Sequence, residues 1–587
     1  MPSSIRGAVS SSSGRVIVRS MLWQISPEWR DDDPRRRDQN VIASARFALD
    51  VSARLLHAIA KPLLTSCITR PLEAPMSRRR VLLGGAALLT AVLITAGCSS
   101  TPSNSDGQAQ EGGTLTVAAA QGIPQLNPAI RTFAWEEVLF PLLWNGLTKT
   151  DESGEIVGDL AEKWEASEDQ KTWTFTLREG VTFSNGDPFT AEDAVASFDY
   201  YLDPETATQE KNKIDMVTDV TASDEKTVVI TLSEPIATFA AGIVWVKMLD
   251  VDALDTIDKE PIGTGPYIVD KFTPDDSLTL VPNPEYFGED PALDEITIVK
   301  AAESTAAVTG LRSGDLDVLW SVPQGDVAGL EGGGDIALVR PENPSQWPSW
   351  EVDTQSAPFN DVRARQALAY ATDREAILEA AYYGQGTVSP TNNALGEVNP
   401  WFGGDLTDYS YDLDKAKELF AEVGITEGST LTWWGIAGQY PEWNTSGEIL
   451  QASLKEIGIT LKIDNNDIGT WVDSFYPAGK SFPGYIVPNF QSTPPEPAYS
   501  LNFYLEGRCE CNWVDPDFQQ AFADAVAEPD EAARAEKWGT VQTIINQQVP
   551  LIVPLQSTVV TATSTEVDGV WVEGGGQLHL ENAQLKG

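Results

Sequence analysis

Apolar and polar positions alternate cleanly in several short stretches of the chain. Thr114–Ala119 reads as a first strand. Lys171–Leu177 reads as another, with Trp173, Phe175 and Leu177 on one face, and Thr227–Leu232 as a further one. Other stretches repeat at helical spacing. Thr132–Leu147 does so although Pro141 should interrupt it. Thr190 stands at an N-cap position with Asp193 three places on, so a helix begins there. Asp361–Ala381 reads as one helix with its Arg residues outward, and Asp412–Val423 likewise as a helix. Ser446–Ile457 is a helix that leads into the strand Thr460–Ile463. Pro529–Val549 is helical with Pro529 in its first turn, and Leu551–Leu555 is a short strand. Turn signals at Ser184–Asp187 and Ile262–Tyr267 punctuate the pattern. Strands and helices mix without a fixed period, which means α/β or α+β and excludes a repeat protein.

Composition sharpens this picture. The 587 residues suffice for three to four domains at about 150 residues each. With 42% apolar residues and 9% aromatics the chain can bury a large core. The net charge of -46 argues against nucleic acid, whose phosphates need Lys and Arg. That charge is unevenly spread. Residues 1–98 hold 14 Lys and Arg against 7 Asp and Glu, leaving 26 against 79 in the remainder.

The basic front has an export logic. Arg78, Arg79 and Arg80 precede the uncharged run Val81–Gly97, which ends at Cys98 and a polar stretch. Thr95–Cys98 resembles the lipobox of bacterial lipoproteins, with Thr95 where Leu is usual; that resemblance implies lipidation of Cys98 and a signal peptide at 76–98. Ser77–Leu83 also resembles a twin-arginine motif, which leaves the export route open. Residues 1–75 do not fit ahead of such a signal and read as a gene-model extension, with translation starting at Met76. Residues 99–112 read as a flexible tether.

Several body segments stand in a fixed order: Leu160–Trp164, Thr172–Asp193, Ile262–Tyr267, Asn283–Ile296, Gly314–Asp317, Pro358–Leu378 and Tyr411–Gly424. Together they resemble family 5 of the solute-binding proteins that feed oligopeptide, dipeptide and nickel ABC importers. The resemblance implies an α/β fold, a two-lobed type II clamp with an extra inserted domain. It implies lobe one from 113–155, 265–340 and 550–587, the insert at 156–264, and lobe two at 341–549. It further implies a monomer without enzyme activity or cofactor. Its ligand is enclosed between the lobes, its partners are ABC permease subunits, and its place is the outer face of the cell membrane, held by the lipid anchor.

Candidate ligand residues follow from the resemblance and from side-chain chemistry. Gln121, after the first strand, can donate and accept hydrogen bonds. Trp320, Trp350, Trp433 and Trp434 fall in regions that border a cleft in the resembling family, where aromatic rings make flat apolar walls. Adjacent Trp433 and Trp434 on a strand must face opposite ways. Peptide-binding relatives carry a Gly-Trp-x-x-Asp-like stretch whose Asp pairs with the peptide amine. The matching stretch here holds Tyr485, Asn489 and Phe490 and no carboxylate. A buried ammonium without a counter-charge is costly. Either another acid supplies it or the ligand is an oligosaccharide-like solute. Nickel is disfavoured and no metal site is expected, because His579 is the sole histidine of the body. Cys509 and Cys511 form either a short-loop disulfide or two free thiols. A secreted hydrolase is the alternative class, but the body has no Gly-x-Ser-x-Gly elbow, no His-Glu-x-x-His motif and no Cys–His pair.

Overall fold

The computed structural model describes residues 109–587, apart from 111, 120, 131–133, 207, 209, 302–303, 343, 345, 438–439, 476–478 and 493–495. Cys98, the signal peptide, the upstream extension and most of the tether lie outside the described residues.

Two large mixed sheets organise the chain. In the first, the strand order is Ile336–Val339, Thr561–Ser564, Val318–Leu319, Thr114–Ala119, Glu295–Lys300, Ser277–Pro282 and Tyr267–Thr273. Its centre is parallel: Thr114–Ala119 runs alongside both Glu295–Lys300 and Val318–Leu319. In the second, the order is Gly386–Val388, Leu555–Ser557, Gln346–Glu351, Tyr485–Ser492, Thr430–Ile436 and Thr460–Asn466. There Thr430–Ile436 pairs in parallel with Thr460–Asn466 and with the start of Tyr485–Ser492. The chain passes from the first sheet to the second between Val339 and Gln346, and back between Ser557 and Thr561. A clamp with two lobes and two connecting passages results.

A smaller four-stranded antiparallel sheet, Ala161–Ala166, Thr172–Leu177, Thr227–Leu232 and Val217–Asp224, carries the alternation seen in the sequence. Trp173, Phe175 and Leu177 are buried on one face of it. The region beside this sheet also touches segments far along the chain. The Ala237 N–H donates to the Val526 carbonyl at 2.8 Å, and Arg508 pairs with Asp215 at 2.8 Å.

Local chemistry explains the helix limits. Thr190 and Asp193 form the capping box that opens Ala191–Leu202. Pro141 turns the expected helix 132–147 into a 3-10 stretch, Ala134–Leu139, and one short turn, Phe140–Leu143. The single helix expected over 361–381 is two, Val362–Tyr370 and Arg374–Ala381. Asp373 interrupts it by accepting from the Ala376 N–H and capping the second helix. Arg residues here do not all face outward. Arg363 pairs with Asp361 at the surface, but Arg365 and Arg374 are buried. Arg365 donates to the Gln548, Val549 and Phe359 carbonyls, and Arg374 to those of Ala369 and Tyr409. The ends of helices leave carbonyls without partners, and a planar guanidinium satisfies several at once.

Candidate functional site

In open α/β sheets, ligands meet the carboxyl ends of parallel strands. In the first lobe the parallel strands end at Ala119, Lys300 and Leu319, so Gln121 and Trp320 follow directly on that edge. In the second lobe they end at Ile436, Asn466 and Ser492, followed by Tyr440 and the helix Ile468–Phe475. One loop ties the two edges together. The Gly575 carbonyl accepts from Gln346 Nε2 at 3.1 Å and from Ser492 Oγ, while the adjacent Gly576 carbonyl accepts from Trp320 Nε1 at 3.3 Å.

The second lobe presents an aromatic edge. Phe490 is 44% exposed and lies 6.2 Å from the Tyr440 ring and 6.5 Å from that of Trp443. Tyr440 stacks on Trp443 with centroids 4.3 Å apart. Ile468 and Val472 are each 41% exposed on the next helix, whose Trp471 and Phe475 are buried. Exposed apolar groups at strand ends, backed by a packed aromatic cluster, suit a surface that is covered when a ligand binds.

The residues expected from sequence separate into two groups. Gln121, Trp320, Asn489 and Phe490 lie at the two edges, with Gln121 exposed and Trp320 half-buried. Trp434 and Tyr485 are half-buried and pack together at 5.0 Å on the second lobe. Trp350 and Trp433 lie apart from both edges. They are buried and meet edge to face at 5.1 Å inside the second lobe's core. The alternation of Trp433 and Trp434 holds, but both faces of that sheet are covered, so the inner ring goes to core rather than cleft. Tyr440, Ile468 and Val472 were not singled out in the sequence. The signal for the last two is their i, i+4 spacing on a helix whose other face is also apolar.

A carboxylate stands where the sequence stretch lacks one. Antiparallel pairing sets Ser349 opposite Asn489. Two places along, Glu351 accepts from Asn489 Nδ2 at 3.1 Å and is fully buried. Glu510 is buried nearby, between Cys509 and Cys511, which are joined by a disulfide. No Lys, Arg or His is ion-paired to either glutamate among the described residues. Burial, and then the charge of Glu510, push Glu351 well above the usual carboxylate range. Burial raises Glu510 to about 7.

The sign of the resulting pH dependence is fixed. A raised carboxylate contributes stability that is complete below its unfolded value, about 4.3, and is lost as pH rises through its folded value. Ligand-free protein should therefore lose stability from this pair as pH climbs from about 4.3 towards about 7. Denaturant melts across this range should show a flatter profile for Glu510→Gln than for the wild type, by on the order of 2 kcal/mol. Parallel profiles would show that the pair is already neutralised by another group.

Two sheets in a hinged pair of lobes, with facing strand ends and an edge built to be covered, define a solute-binding protein. The chain belongs to the bacterial extracellular solute-binding proteins, family 5, whose model matches residues 155–508. It is 27% identical over 475 residues to the dipeptide-binding protein of Escherichia coli (strain K12), covering 74% of this chain and 86% of that one. It is 30% identical over 338 residues to heme-binding protein A of Haemophilus influenzae, covering 52% and 61%. The fold matches the crystal structure of a dipeptide binding protein from Pseudoalteromonas sp. SM9913 in complex with Met-Leu. The TM-score is 0.70 at 23% identity, over 81% of this chain and all of that one. No helix among the described residues is long and apolar enough to cross a membrane.

Proposed function

We propose that this chain is the extracytoplasmic, lipid-anchored receptor of an ABC importer, and that it captures oligopeptide-like solutes and passes them to the membrane permease. The observation that carries the ligand class is Glu351 beside Asn489. A buried acid pair without a cation is matched by the free α-ammonium of a peptide, which resolves the missing counter-charge of the 482–490 stretch. Relatives described as binding dipeptides support the same reading. Gln121 and Trp320 approach the ligand from the first lobe, and Phe490 lies against it from the second. Closed lobes are favoured because ligand contacts both edges only in that state. Opening would break the Arg508–Asp215 pair and the Ala237–Val526 hydrogen bond. The lobe and insert limits we propose are those implied by the sequence, and the anchor is Cys98.

Mass spectrometry of solute retained through gentle purification tests this directly. Peptides with a free amino terminus are expected. A retained neutral oligosaccharide, with no binding of peptides in titration, would overturn the peptide assignment while leaving the receptor role intact.

A further inference from the structure

We propose that a cavity lined by both lobe one and the insert, separate from the cleft between the lobes, is a second binding site that takes a small acceptor-rich anion, a carboxylate or inorganic oxyanion of a few heavy atoms. The cavity spans about 510 Å³ of atom-free space, part of it open to solvent, and none of its lining residues lies between 346 and 557. It is thus built without the second lobe's sheet.

Several of its donors are unmatched. Lys247 lines the cavity and is only 6% exposed. Its backbone N–H donates to Tyr201 Oη, but its ammonium has no hydrogen bond or ion pair among the described residues. The centroid of the Phe140 ring lies 6.0 Å from it. Trp144 and Trp245 line the same space, and both indole N–H groups are buried without an acceptor. His579 Nε2 makes no hydrogen bond but is ion-paired with Glu573 at 3.7 Å. A buried donor left unmade costs about 1–3 kcal/mol, more when charged.

The carboxylates of the cavity are largely engaged. One oxygen of Asp159 accepts from Asn145 Nδ2 at 2.8 Å and the other from the Gly146 N–H at 2.9 Å. Glu581 Oε1 meets His579 Nδ1 at 2.9 Å while its Oε2 has no hydrogen bond, and Glu573 faces His579 Nε2 at 3.7 Å. Burial opposes a charge on His579, but Glu581 and Glu573 outweigh it and hold the imidazole up at about 9. Counted at formal charges, Lys149, Lys247 and the imidazolium balance Asp159, Glu573 and Glu581. At those formal charges the site is balanced, so selection comes from geometry: the buried Lys247 ammonium lacks an acceptor among the described residues, and an acceptor-rich guest supplies one. A metal ion is a poor alternative, since no group of three ligating side chains occurs among the described residues.

The test is calorimetric titration of the mature chain with sodium acetate and, separately, sodium phosphate. Ionic strength is held with sodium chloride, and the peptide cleft is filled beforehand so that its ligand does not contribute. Saturable binding of at least one anion is expected, and which one binds tells carboxylate from oxyanion. Affinity should fall at least tenfold in Lys247→Met. Trp245→Phe keeps an aromatic ring but removes the N–H with the five-membered half of the indole, and should weaken binding at least threefold even if Lys247→Met fails to fold. No saturable binding by the wild type, or equal affinity in the wild type and Trp245→Phe, would overturn the site. Because the cleft is occupied throughout, either failure leaves the receptor reading untouched.

Discussion

Replacing Trp433 with alanine is expected to destabilise the protein by about 3–5 kcal/mol, the usual cost of emptying a large buried site. Trp433 has no exposed surface and packs edge to face against Trp350. The helix Pro441–Glu456 crosses it through Gly447, where an added Cβ would come within 2.8 Å of the indole. A backbone so close to the ring cannot move in to fill the hole, because the rest of its helix is held by Trp443, Leu450 and Leu454 in the core. Chemical denaturation followed by far-UV circular dichroism gives the loss, with ligand affinity measured on the folded fraction. The expected pattern is a large stability change with affinity altered little. A loss below about 1 kcal/mol, well short of a core truncation, together with a marked fall in affinity, would return the ring to the ligand.

That ring marks where sequence reasoning stops. Alternation correctly sent Trp433 and Trp434 to opposite faces, but periodicity does not say which face a cleft lies on when both are covered. Strands such as Thr172–Leu177 and Thr227–Leu232 were legible because their pattern is local. Helix breaks were less so: the apolar spacing runs on past Asp373, and only the side-chain cap reveals the interruption. Buried Arg365 was invisible because its partners, the carbonyls of Gln548 and Val549, end a helix 183 and 184 residues away. Glu351 was hidden for the same reason. Its partner Asn489 is 138 residues distant, and register between such strands follows from the assembled sheet. The family was readable because its blocks are scaffold turns and caps; the pairings at the candidate site join residues far apart in the chain, which local pattern does not show.

Glu351→Gln should separate stability from binding, and in opposite directions. The substitution keeps an oxygen for Asn489 Nδ2 and removes the buried charge. Near pH 7.5 the ligand-free variant should therefore be at least as stable as the wild type, since one of two cation-free carboxylates is gone. Affinity for a dipeptide with a free amino terminus should instead fall by about 2–3 kcal/mol, roughly 30- to 150-fold, because the bound ammonium loses its counter-charge. The same dipeptide carrying an N-acetyl group has no charge to lose, so the wild type and the variant should bind it alike. Titration calorimetry with both peptides on both proteins closes the cycle. An equal loss for free and acetylated peptides would mean that Glu351 acts through the packing of Asn489 and the second lobe. No loss for either would place the amine elsewhere along the cleft. A loss confined to the free amine, on a protein that is no less stable, is the outcome that a purely structural role for Glu351 does not produce.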